Sequence, residues 1–198
     1  MRVLSLKERV DLLEQDLTAK PPRISVYRNL PFAILRYEPN TDWTLRHELR
    51  LLATRLEEVG KRVHFLSLGR LLHQAIAESE GLDAVIELER TRGYLAAQEQ
   101  VTTYLSDPDF HPLPTLVADW INGLPAVDAK RDIVFLTRAT AMAPAIYHMS
   151  KLLDELQDRT TITTVLCYPG GLAGTTGLRF MNLQHREAMG NYRVKIYG

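Results

Sequence analysis

The apolar positions of this chain follow two different spacings. Leu45, Leu49, Leu52 and Leu56 recur every three or four residues, which predicts one buried face of a helix that starts after a turn near Asp42. Uninterrupted apolar runs instead predict buried strands, at about 30–37, 63–68, 132–137 and 163–168. Strands that alternate with helices predict an α/β domain with three layers and a mostly parallel central sheet.

Two parts of the chain depart from this alternation. Between about 69 and 124 the apolar spacing is helical throughout, so we expect a helical insertion between strands of the sheet. The segments at about 178–183 and 192–197 predict short C-terminal strands. Because 198 residues are enough to bury one core, we expect residues 1–198 to form a single α/β domain.

The fourth predicted strand runs into a glycine-rich segment, residues 169–177, that looks like a phosphate-cradling loop. A P-loop needs a lysine that reaches the phosphates, but no lysine lies between Lys151 and Lys195. Glycine also supplies ordinary turns. We therefore favour a turn at Pro169-Gly170 that joins the strand to a C-terminal hairpin, and we keep phosphate binding as the alternative.

The carboxyl ends of parallel strands, where α/β proteins bind ligands, carry the other candidate residues. If the arginines there face the glycine-rich segment, they form a rim suited to an anion. The simpler interpretation, which we favour, is that they are solvated charges at strand ends. The candidate binding residues are Arg36, Arg138, Gly170, Gly171 and Gly174.

No combination of residues indicates catalysis. The six histidines are scattered, and the sequence contains no His-Glu-x-x-His motif, nucleophile elbow or paired-carboxylate signature. Cys167 lies in a predicted strand, where a buried thiol is expected rather than an activated nucleophile. Asp132 begins its strand, whereas a Walker-B carboxylate ends one. We therefore expect no enzymatic activity, no metal site and no cofactor.

Charge and composition narrow the possible partners. The 24 lysines and arginines balance the 24 acidic residues, whereas DNA-binding proteins usually carry a basic excess, so we expect no direct binding to nucleic acid. The early charges do not fit a signal peptide, no apolar run is long enough to cross a bilayer, and one cysteine suits a reducing compartment. We expect a cytoplasmic protein. The uncharged segment 139–145 either packs internally or docks a partner.

Three segments, in order, resemble the BrxB family, the small B component of bacterial BREX (bacteriophage exclusion) defence systems. They are residues 29–39, residues 132–138 with the helix that follows, and residues 165–170 leading to 177–180. The resemblance implies a cytoplasmic accessory protein that works beside a PglZ-type alkaline-phosphatase-like protein, a large ATPase and a methyltransferase. It implies no enzymatic activity and no catalytic residues.

Taken with the resemblance, the sequence favours a non-enzymatic adaptor that binds other BREX proteins. The first expected partner is the PglZ-type protein, and the second is the large ATPase. The alternative is a nucleotide-binding domain whose glycine-rich phosphate loop has degenerated.

Overall fold

The structure is a computed structural model that describes residues 4–24, 30–173, 177–183 and 194–198. Its helices within these ranges are α1 (Leu6–Thr18), α2 (Asp42–Glu58), α3 (Leu68–Glu78), α4 (Leu82–Arg92), α5 (Tyr94–Ser106), α6 (Leu113–Asn122) and α7 (Met149–Glu155). Its strands are β1 (Phe32–Tyr37), β2 (Arg62–Ser67), β3 (Asp132–Thr137), β4 (Thr163–Ala173), β5 (Gly177–Phe180) and β6 (Lys195–Tyr197). The helical insertion is confirmed, because α3 to α6 follow one another between β2 and β3.

The central sheet is mostly parallel, as the alternation of elements predicts. Its strand order is β2-β3-β4-β1-β6, and β5 pairs with the distal part of β4. The pairs β1–β4, β1–β6 and β3–β4 are parallel, and only β4–β5 is described as antiparallel. All six residues of β1 are buried, which fits a strand between β4 and β6 with both faces covered. The α/β class and the short C-terminal strands are therefore confirmed.

The prediction that the fourth strand ends in a turn at Pro169-Gly170 is wrong. β4 continues to Ala173, and its last four residues pair with β5 in the register Gly170–Phe180 to Ala173–Gly177. The carbonyl of Pro169 accepts a hydrogen bond from the Met181 amide at 2.9 Å. The pairing with β5 supplies the hydrogen bonds that keep this segment extended, so the Pro-Gly pair lies inside a strand.

The described chain divides into two compact units. The first draws on residues 1–66, 125–137 and 161–198 and holds the sheet with α1 and α2. The second draws on residues 67–124 and 138–160 and holds α3 to α7. In the first unit, apolar side chains of α1 and α2 pack on β1, β3, β4 and β6, and this core includes Leu13, Leu52, Leu35, Phe135 and Tyr197. That residues 1–198 form a single domain stays a prediction.

Local sequence signals determine where several helices begin and end. Ser5 and Glu8 form a reciprocal capping box at the start of α1. Ser67 caps α3, because its Oγ accepts a hydrogen bond from the Arg70 amide at 3.3 Å. Gly60 follows α2 with φ +81°, the left-handed conformation that favours glycine after a helix. None of the described helices has the length and apolar character needed to span a bilayer.

Candidate functional site

Arg36, the first candidate of the anion-binding rim, is buried near the carboxyl end of β1 and is only 3% exposed. Its Nη1 donates a hydrogen bond to the Glu38 carboxylate and a second, at 2.9 Å, to the carbonyl of Gly170. Glu38 remains half-exposed. The guanidinium therefore joins β1 to the part of β4 that pairs with β5.

A second buried arginine lies beside it. Arg9 on α1 donates from Nη1 to the Arg36 carbonyl at 3.1 Å and from Nη2 to the Leu4 carbonyl at 2.6 Å. Burial lowers the pKa of Arg9, and the Arg36 charge lowers it further, while the Glu38 charge opposes both. Within the described ranges, the Nε atoms of both arginines are buried without a hydrogen-bond partner. The two guanidiniums therefore link α1, β1 and β4, and one carboxylate partly balances their charge.

The glycine candidates occupy positions different from those of a phosphate loop. Gly170 and Gly171 lie in the β4–β5 ladder. A phosphate cradle presents backbone N–H groups, whereas Gly170 presents its carbonyl to Arg36. Gly174 lies outside the described residues. Arg138 is exposed in the second unit, with φ +57° before a 3-10 turn, Ala139–Met142. Anion binding by these residues stays a prediction, and the Gly170 geometry does not favour it.

Replacing Arg36 with methionine should lower the free energy of unfolding by about 2 kcal/mol, because the buried Gly170 carbonyl would lose its donor. Urea unfolding followed by circular dichroism measures the difference. The matched control is Arg90→Met, since Arg90 pairs with Glu87 on the surface and such pairs contribute about 1 kcal/mol or less. Equal losses in the two variants would contradict a structural role for Arg36.

A cluster that our sequence analysis missed lies at the start of β3. Asp132 is 1% exposed, and its Oδ1 lies 2.7 Å from His64 Nε2. Its Oδ2 accepts hydrogen bonds from Arg62 Nη2 and, at 2.6 Å, from the Asp128 amide. Burial alone would raise the pKa of Asp132, but the hydrogen bonds from His64, Asp128 and Arg62 outweigh it and hold the pKa below its usual value.

One sequence signal could have indicated this cluster. Arg62 and His64 are two residues apart on β2, so their side chains leave the same face of the strand. β2 is the neighbour of β3, where Asp132 is the first residue. Both carboxylate oxygens of Asp132 have partners within the protein. The cluster therefore fixes β2, the strand at the edge of the sheet, to β3.

Cys167 is fully buried on β4, as the sequence predicts. Burial, and to a lesser extent the charge of Asp42, raises the pKa of its thiol. His64 lies on β2, and β3 separates that strand from β4 in the sheet order. No group of three or more metal-ligating side chains occurs in the part of the chain that the structure describes.

The apolar segment 139–145 packs mostly within the second unit. Ala139 and Met142 are fully buried, and Ala141 lies next to Gly69 of α3, where an added Cβ would be 3.4 Å away. Pro144 and Ala145 are exposed. The sequence left two interpretations of this segment open, internal packing and the docking of a partner. Internal packing is the one that describes Ala139–Met142.

The helical hairpin formed by α4 and α5 exposes more apolar surface than that segment. Gly93, with φ +88°, joins the two helices. One face is buried through Val85 and Val101, among others. Outside that buried face, four large apolar side chains are exposed, with relative accessibilities of 53% for Leu82, 37% for Ile86, 52% for Tyr94 and 69% for Leu95. We call these four residues the hairpin surface. Exposed apolar residues grouped on one element are typical of protein interaction sites.

Both helices of the hairpin lie within the helical insertion predicted at about 69–124, but these four residues were not among the candidates. The available signal is that apolar residues in α4 occupy more than one helical face, since Val85 and Ile86 are adjacent in sequence. A helix that is apolar on more than one face needs more than one neighbour.

Comparison with known proteins gives one match. The family model described as BREX protein BrxB matches residues 64–196, which is more than half of the chain and runs from β2 into β6. No curated protein and no solved structure matches.

Proposed function

The chain belongs to the BrxB family of BREX proteins, and on this premise we propose that it is a non-enzymatic adaptor of the BREX phage-defence system. It acts in the cytoplasm by binding other BREX components. Its first partner is the PglZ-type protein, and its second is the large ATPase. The family match supports membership of the system, and the adaptor role is our extension of it.

The hairpin surface is the observation on which the adaptor role depends. Leu95 and Tyr94 place more than half of their accessible surface in solvent at the start of α5. Burying such side chains against a partner gains roughly 25 cal/mol for each Å² of apolar surface removed from water. Tyrosine is also enriched among the residues that contribute most to binding energy. A partner that covers these side chains therefore removes the free-energy cost of exposing them to water.

The nucleotide-binding alternative has no observation in its favour. The described part of the glycine-rich segment belongs to β4 and β5, which pair with each other. Arg36 already donates hydrogen bonds to Glu38 and Gly170. We therefore carry only the adaptor role forward.

Replacing Leu95 with glutamate should weaken capture of the PglZ-type protein about tenfold, because the variant would bury an unpaired carboxylate where the partner covers the most exposed residue of the hairpin surface. The assay is affinity purification of the tagged chain from cells that express the whole operon, with captured BREX proteins quantified by mass spectrometry. Since Leu95 is exposed, the circular dichroism spectrum of the variant should match that of the unchanged protein.

The control is Leu51→Glu, which makes the same change at an exposed position of α2. If Leu51→Glu and Leu95→Glu reduce capture equally, the hairpin surface is not the contact. If the unchanged chain captures neither the PglZ-type protein nor the ATPase, the adaptor role is wrong. Sustained hydrolysis of ATP or GTP by the purified chain would contradict the proposal that the adaptor is non-enzymatic.

A further inference from the structure

A cleft of about 850 Å³ opens on the first unit, at the end of the sheet where β2 and β3 begin. Three segments line it: residues 18–22 after α1, residues 59–61 after α2, and residues 129–131 before β3. Its volume lies within the range of roughly 300–1,000 Å³ typical of ligand sites. We call it the basic cleft.

Charge distinguishes this cleft from the rest of a chain whose net charge is zero. Lys20, Lys61, Lys130 and Arg131 all line it, and no aspartate or glutamate is among its described lining residues. α1 and α2 also have their C-terminal ends here, and the dipole of each helix places about half a negative charge at that end. Four full positive charges exceed that contribution, so the cleft favours an anionic group.

The backbone around the cleft is held in place by hydrogen bonds. Lys61 Nζ donates to the Lys130 carbonyl at 2.8 Å, and the Arg62 amide donates to the Arg131 carbonyl at 2.8 Å. An ammonium group has three donors, so Lys61 keeps two for a ligand. A ligand that enters the cleft therefore meets turns that are already ordered, which limits the entropic cost of binding.

The walls between the charges are apolar. Pro21, Pro22 and Ala129 are exposed along the cleft, and Val59 is 60% exposed. Such walls contact aliphatic side chains favourably, while the cations at the rim pair with carboxylates. The ligand chemistry that fits is a short polypeptide segment in which acidic and aliphatic residues alternate.

We infer that the basic cleft docks an acidic segment of a partner protein. The inference rests on the proposed adaptor role and adds a second contact, on the first unit, to the hairpin surface on the second. An adaptor needs two contacts to hold two partners at once, and the two surfaces differ in chemistry. They therefore select different partner segments.

Single-stranded nucleic acid fits the same cleft less well. Proteins that bind it combine a basic groove with aromatic side chains on which bases stack. None of the described lining residues is aromatic. The balanced net charge also removes the long-range attraction on which most nucleic-acid binding depends.

Fluorescence polarisation with labelled probes and the purified full chain tests the inference. The first probe is a nine-residue peptide of alternating glutamate and leucine, the second replaces each glutamate with glutamine, and the third is a nine-nucleotide oligothymidine. We expect the glutamate peptide to bind at least tenfold more tightly than either other probe. We also expect its affinity to fall as salt rises, since the cations are exposed to solvent.

The variant Lys20→Glu with Lys130→Glu should weaken binding of the glutamate peptide at least tenfold. The control, Lys7→Glu with Arg50→Glu, changes the net charge equally at exposed positions away from the cleft and should change affinity less than twofold. Equal effects of the two double variants, equal binding of the two peptides, preference for the oligothymidine, or no binding of the glutamate peptide would each overturn the inference. Since this assay needs no BREX partner, the inference can fail while the unchanged chain still captures the PglZ-type protein.

Discussion

Replacing Gly170 with alanine should lower the free energy of unfolding by about 3 kcal/mol. The new Cβ would lie 2.1 Å from the Arg179 carbonyl oxygen and 3.0 Å from Tyr168 Cε1. Relief requires that β5 move away from β4, which breaks their ladder. It also moves the carbonyl that Arg36 binds. Urea unfolding followed by circular dichroism measures the loss.

Gly69→Ala is the control for this substitution. The three atoms nearest to an added Cβ there are Ala141 Cβ, Ser67 Oγ and Arg138 Cβ, all at 3.4 Å or more, and the position is helical. Alanine has the higher helix propensity, so stability should stay unchanged or rise by up to about 1 kcal/mol. A Gly170→Ala protein as stable as the unchanged chain would mean that β5 does not pack on β4 at this distance.

Replacing Asp132 with asparagine should lower the free energy of unfolding at neutral pH by about 3 kcal/mol. The amide carries no charge to balance Arg62. It also offers only one oxygen where the carboxylate uses both, one facing His64 and the other facing Arg62 and the Asp128 amide. Asp154→Asn, at an exposed position of α7, is the control and should change stability by less than about 0.5 kcal/mol.

The sign of the pH dependence follows from the lowered pKa of Asp132. A carboxyl whose pKa is lower in the folded than in the unfolded chain stabilises the fold above the unfolded pKa, about 3.9 for aspartate. That stabilisation disappears as the pH falls through the folded pKa. The difference between the unchanged chain and Asp132→Asn should therefore be largest near neutral pH and shrink below about pH 4. A difference that stays constant from pH 7 to pH 3 would show that folding does not lower the pKa of Asp132.

Elements that depend on local signals could be predicted from the sequence. β3 was predicted at 132–137 and is observed at the same residues, because an apolar run of strand length there follows a polar turn. The start of a helix after a turn near Asp42 was predicted for the same reason, and α2 begins at Asp42. In each case, residues within a few positions of each other decide the structure.

Features that depend on distant residues could not be predicted. Taken alone, Pro169-Gly170 is a turn signal. Pairing with β5, however, keeps these residues extended, so β4 continues beyond them. The contacts of Arg36 depend on distant residues in the same way. The sequence favours a solvated charge at a strand end, yet Arg36 is buried, and one of its hydrogen-bond acceptors, the Gly170 carbonyl, lies 134 residues further along the chain.

The order in which the sheet strands occur along the chain has a consequence for biosynthesis. β1 is made early, but its partners β4 and β6 lie beyond residue 162, and the segments of the second unit come between them. Such high contact order slows folding, because a long loop must close before the pairing is gained. During translation β1 therefore emerges as an apolar strand with no partner strand, and its unpaired edges stay open to aggregation until β4 and β6 have been made.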